Sequence, residues 1–133
     1  MPHIDYIYER ERDFLKAYTH LPPHPGAHLG SREILRKVIA QKARRFYVSE
    51  EECYRNLLRM NKNLPLTIKS TSKLHMYVEI HRRVTHLLAQ SPQTTLHDAI
   101  CQVIYNEAPQ FYISLRTAQR ILKTHRQRNK KNP

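Results

Sequence analysis

The sequence predicts an all-α fold of about six helices, and three observations carry that prediction. Glycine is nearly absent, with two in 133 residues, and the eight prolines fall mostly near the ends of helical runs. Apolar residues recur at spacings of three and four, the period of a helix with one buried face. Serine or threonine stands ahead of most of these runs, where a side-chain oxygen caps the first free N–H groups.

Residues 4–19 are the first predicted helix. Ile4, Ile7, Tyr8, Phe14, Leu15 and Tyr18 make its docking stripe, and Glu9, Arg10, Glu11, Arg12 and Asp13 read as a charged outer face. The segment that follows holds His20, His24 and His28 among Pro22, Pro23 and Pro25. The prolines spoil the one-face geometry that paired histidine ligands need, so it reads as a solvated loop. Ser31 caps a second helix that buries Ile34, Leu35, Val38 and Ile39. Phe46-Tyr47-Val48 is an extended connector, and Ser49 to Glu52 is a capping box opening a third helix to about Met60.

Asn61 to Thr71, with Pro65, links the two halves of the chain. The fourth helix buries Leu74, Tyr77, Ile80, Val84, Leu87 and Leu88, carries a His75–Glu79 surface pair, and stops at Ser91-Pro92. Thr95 to Asp98 opens a fifth helix that buries Leu96, Ala99, Ile100, Val103 and Ile104 and reaches Glu107. Phe111-Tyr112-Ile113 is a second connector. Ser114 caps a sixth helix with Leu115, Ala118, Leu122 and His125 facing inward. Residues 126–133 read as a basic tail, disordered when unbound, so residues 1–125 form the single domain.

The chain also repeats itself. Residues 33–60 align on 98–125 without gaps at an offset of 65. Val38/Val103, Ile39/Ile104, Ala43/Ala108, Phe46/Phe111, Tyr47/Tyr112, Ser49/Ser114, Arg55/Arg120 and Leu57/Leu122 are identical. Two copies of a helix–connector–helix unit are too few for a solenoid, so they are expected to pack as one pseudo-symmetric domain. The Phe-Tyr pairs are expected to sit beneath the helix pairs as core.

Charge is distributed unevenly. Residues 1–53 hold nine Lys/Arg against eight Asp/Glu, and residues 54–133 hold fourteen against three. A polyanion is the partner that such asymmetry suits, duplex DNA ahead of RNA. Cys53 and Cys101 lack any Cys-x-x-Cys or paired-ligand spacing and read as buried small residues in a reducing compartment, with no metal or cofactor. No apolar run approaches the roughly 18 residues of a membrane span, and the acidic N-terminus lacks signal-peptide features. A cytoplasmic protein without a membrane partner is expected. No phosphate loop, nucleophile elbow or zinc-protease motif is present, so no catalytic residue is assigned.

Functional expectation centres on the sixth helix. Arg116, Gln119, Arg120, Lys123 and Arg126 fall opposite its apolar side, a front that suits a DNA groove and equally suits a solvated surface. Thr117 joins them near the N-terminus. In the first copy the corresponding front is Glu51, Tyr54, Arg55 and Leu58, where acids repel phosphate. Tyr54 and Leu58 point instead to packing, protein contact or self-association. The competing expectation is therefore a non-enzymatic protein-interaction or accessory module.

Residues 114–123, Ser-Leu-Arg-Thr-Ala-Gln-Arg-Ile-Leu-Lys, resemble the recognition helix of AraC-type helix-turn-helix regulators. The resemblance implies a small regulatory DNA-binding protein with Arg116, Thr117, Gln119 and Arg120 toward DNA and Leu115, Ala118 and Leu122 anchoring the helix. Upstream, the connector 108–113 departs from the family pattern, being longer than a tight turn and lacking glycine. The repeated Phe-Tyr-x-Ser is also similar to small helical proteins of bacterial mobile elements, a fainter likeness that implies no activity.

Overall fold

A computed structural model describes the backbone of residues 2–21 and 31–131 and the side chains of 6–21 and 31–128. The predicted histidine loop lies largely outside the described residues, as do positions 132–133. The described chain forms α1 (Pro2–Thr19), α2 (Arg32–Ile39), α3 (Glu50–Asn61), α4 (Thr71–Gln90), α5 (Leu96–Ile104) and α6 (Leu115–Lys131). The fold is all-α, as expected.

Local chemistry explains where the helices begin. α2 to α6 open on Ser31, Ser49, Ser70, Thr95 and Ser114, whose hydroxyls accept from backbone N–H groups three residues on at 3.0–3.3 Å. Each such cap stabilises its helix by about 1 kcal/mol. α3 ends on a Schellman motif: Asn63 takes φ 56°, Leu64 N–H reaches Arg59 O at 2.9 Å, and Asn63 N–H reaches Met60 O at 3.1 Å.

The two connectors cross at the centre. Ala43 and Ala108 exchange both backbone hydrogen bonds at 2.9 Å. Phe46 N–H donates to Ile104 O at 2.9 Å, and Phe111 N–H donates to Ile39 O at 3.0 Å. Phe46 stacks on Tyr112 and Tyr47 on Phe111, with centroids 6.0 and 5.9 Å apart. Under the 65-residue offset each of these contacts maps onto its partner. The helices follow the same exchange: α2 packs on α6 while α5 packs on α3, and α1 lies on α2 and α6 as α4 lies on α5 and α3. All four connector aromatics are buried, in one core that includes Phe14, Leu35, Leu57, Tyr77, Ile80, Ile100 and Ile121. They are therefore packing residues and offer no stacking platform for bases.

Several expectations are corrected. The acids of α1 are no outer face. Glu9 pairs with Arg44 and with the buried Arg45 (3.5 Å), and Asp13 accepts from Tyr47 Oη at 2.6 Å and Arg44 Nε at 3.2 Å. These carboxylates dock α1 on the first connector. Arg45 also donates to Phe46 O and Val48 O at 3.0 and 2.8 Å, so its charge is satisfied where it is buried. α5 stops at Ile104 rather than Glu107, because Ile104 O is taken by the connector of the other unit. The basic tail is helical through Lys131: Arg, Gln and Lys are good helix formers, and nothing before Pro133 breaks the run.

Glu79 does not pair with His75 either. It binds Arg82 and Arg83, at 2.6 and 2.7 Å. Arg83 in turn donates to Glu107 O at 3.0 Å and lies 5.0 Å over the Phe46 ring. Glu79 thus steadies the arginine that holds the second connector. Hydrogen bonding by Arg82, with a further share from Arg83, holds the Glu79 carboxyl below its ordinary value of 4.5. A depressed folded-state value means the contribution is present above pH 4.5 and is lost as pH falls through the lower folded value. Glu79→Gln is expected to cost about 0.5–1 kcal/mol in urea unfolding at neutral pH. The difference from wild type should shrink as pH drops below 4.5, whereas a pH-independent difference would contradict this role.

Candidate nucleic-acid interface

α6 is held at its N-terminus by the Ser114 cap and along its back by Ala118, Ile121 and Leu122, which are buried. Leu115 and His125 are only half-buried, and Ile121 is an anchor the sequence pattern did not single out. At 17 residues the helix is about 25 Å long. Its last buried side chain among those described is Leu122, so Lys123 onward runs past the core. From Ala108 to the C-terminus the chain carries seven Lys/Arg and no acid.

The six residues singled out from sequence do not stand alike. Arg116, Gln119, Lys123 and Arg126 are exposed and make no hydrogen bond or ion pair among the described residues. Their spacing of three, four and three puts them on one stripe. Arg120 is turned toward α1, where both guanidinium nitrogens lie 3.4 Å from Glu11 Oε1. Thr117 belongs to the cap: its N–H and Oγ1 each lie 3.0 Å from Ser114 Oγ. The stripe is thus narrower than the sequence suggested and still continuous.

α2 adds a set that sequence reasoning missed. Arg32, Arg36 and Lys37 are exposed on the helix that packs against α6. They lie some 80 residues away in sequence, and only packing unites the two helices. The connector before α6 runs from Tyr105 to Ser114, ten residues, and is fixed by the bridge to Ala43. α6 is therefore positioned by the other unit and not by the tight turn of a helix-turn-helix.

At the exchange-related interface, between α3 and α5, the residue types differ. Glu50 Oε1 lies 3.0 Å from His97 Nε2 and accepts from Cys101 Sγ at 3.3 Å, while Glu50 Oε2 accepts from Tyr105 Oη at 2.5 Å. Hydrogen bonds from Tyr105 and Cys101 hold Glu50 below the ordinary carboxylate value. Partial burial and the Glu50 carboxylate push the Cys101 thiol up to about 11. Cys53 is fully buried, as expected, but Cys101 is not. Tyr54 is 39% exposed and Leu58 half-buried on the outside of α3.

Comparison of the chain with protein-family models, curated proteins and solved structures finds no match. What the geometry defines is a class: an all-α protein of two interlocked units, one interface of which is rimmed by cations. Among the described residues no helix is long and apolar enough to cross a membrane.

Proposed function

We propose that the chain is a small nucleic-acid-binding protein that lays the exposed face of α6 on duplex DNA, in a regulatory role. The observation that supports this most is the stripe of Arg116, Gln119, Lys123 and Arg126, unpaired among the described residues, on a helix that carries no acid of its own and whose Arg120 alone meets one, Glu11 of α1. Arg32 and Arg36 on the adjoining α2 widen the basic surface. Gln119 is suited to a base edge, Arg116 to a base edge on a preferred site and to a phosphate on random DNA, and Lys123 and Arg126 to phosphates. Arg120 has a lesser role, because Glu11 already occupies it.

The test is a titration of labelled random duplex DNA at 0.05 and 0.2 M salt. About four phosphate contacts give a log–log slope near −3.6, which is a loss of about 100-fold between the two conditions. Absence of binding at 0.05 M, or a flat salt dependence, would remove the proposal.

The exposed Tyr54 favours a second reading, a protein-contact or self-association surface on α3. Tyr54→Ala with Leu58→Ala is expected to weaken self-association in sedimentation experiments while DNA affinity per folded molecule stays unchanged. A large affinity loss in a well-folded double variant would show that this division of labour between the units is wrong.

A further inference from the structure

We propose that Glu50, His97 and Cys101 form a Zn²⁺-binding site that joins the two units across the α3–α5 interface. The three are brought together from separate parts of the chain. His97 and Cys101 are one turn apart on a single face of α5, and Glu50 is the first residue of α3, its backbone set by the Ser49 cap. One donor atom from each lies within 4.8 Å of the others.

The triangle has the dimensions of one face of a zinc tetrahedron. Bonds of about 2.3 Å to sulfur and about 2.0–2.1 Å to nitrogen and oxygen imply S···N and S···O edges near 3.6 Å and an N···O edge near 3.3 Å. The observed edges are 3.8 Å for Cys101 Sγ to His97 Nε2, 3.3 Å for Sγ to Glu50 Oε1 and 3.0 Å for Nε2 to Oε1. Small side-chain adjustments suffice to seat the ion.

One surrounding group orients a donor in the way that partners of metal ligands do. Tyr105 Oη holds the second Glu50 oxygen at 2.5 Å and so directs the first. Such partners normally affect metal affinity 10–100-fold. Asp98 Oδ1, 3.8 Å from His97 Nδ1, is beyond hydrogen-bond distance, while His97 Nε2 lies on the side of the other two donors. A thiolate, an imidazole and a carboxylate together select zinc over magnesium or calcium. Binding displaces the Cys101 thiol proton to solvent, leaving a Zn–S bond, and water fills the fourth position.

The site is confined to one of the two related interfaces. Subtracting 65 from His97 and Cys101 gives Arg32 and Arg36, and adding 65 to Glu50 gives Leu115, none of which binds a metal. Among the described residues that makes one such site per chain. The site does not depend on DNA binding and is tested apart from it.

The test is titration of the untagged full chain with Co²⁺, followed by Zn²⁺. The expected result is a thiolate-to-cobalt charge-transfer band with strong visible bands of a tetrahedral site, saturating at one cobalt per chain and bleached by one zinc. Cys101→Ser should abolish the charge-transfer band with the circular dichroism unchanged. His97→Ala, at an exposed position, and Glu50→Gln should each lower Zn²⁺ affinity more than about 100-fold, and Tyr105→Phe about 10-fold, against a chromophoric chelator. Histidines in the 20–28 segment cannot produce a thiolate band, and Cys53→Ala should keep it. No band in the folded wild type, a band that survives Cys101→Ser, or saturation at half an equivalent with doubled mass would each overturn the site.

Discussion

Replacing Arg116, Lys123 and Arg126 together by alanine is expected to weaken binding to random duplex DNA by about 100-fold at 0.15 M salt. Three phosphate contacts account for about 2.7 units of log–log slope, and at 0.15 M that slope corresponds to roughly two decades of affinity. The helix should survive, since all three side chains are exposed and alanine is the better helix former. Salt titration separates this outcome from partial unfolding, because only lost ionic contacts flatten the slope. Arg120→Ala should change the slope by much less than one unit, its guanidinium being engaged by Glu11. If the triple variant keeps the parental slope, α6 is not the binding surface and the protein-contact reading on α3 takes its place.

Phe46→Ala should destabilise the fold by about 3–5 kcal/mol, the usual loss for a buried phenylalanine. Phe46 is fully buried between the Tyr112 ring and the Arg83 guanidinium, and its backbone N–H ties the first connector to Ile104. Loss of the ring leaves a cavity where the two units cross, so neither unit can close over it alone. Such a loss is a large share of the 5–15 kcal/mol that holds a typical domain folded. Phe111→Ala, at the exchange-related position beside Phe14 and Tyr47, should cost a similar amount. The Phe46→Ala/Tyr112→Ala pair should cost less than the sum of its single variants, because the two rings share one contact. A midpoint shift in urea equivalent to less than about 1.5 kcal/mol for Phe46→Ala would mean that the units are held together elsewhere. Tyr112 adds a strained feature: its φ of 52° is uncommon for an aromatic residue and places the ring on Phe46.

What the sequence by itself determined is what arises within a few residues of the chain. Caps at Ser31, Ser49, Thr95 and Ser114 act on an N–H three positions away, and the buried faces of α2, α5 and α6 follow from a period of 3.6. Both could be read without a partner in view. The alignment at an offset of 65 marked Ala43 and Ala108, and the two Phe-Tyr pairs, as equivalent positions, but that they meet across the centre, Ala43 with Ala108 and Phe46 with Tyr112, is a property of the fold. Only tertiary structure decided the rest. The outward or inward sense of Glu9, Glu11 and Asp13 depends on Arg44, Tyr47 and Arg120, which are 31 to 109 residues distant. The end of α5 depends on a carbonyl claimed by the opposite connector. The Glu50–His97–Cys101 cluster joins groups 47 and 51 residues apart, with no spacing signature beyond His97 and Cys101 on one helix face. Charged side chains look alike along a sequence, exposed or paired, because their energy is set by whichever opposite charge the fold brings within a few ångströms.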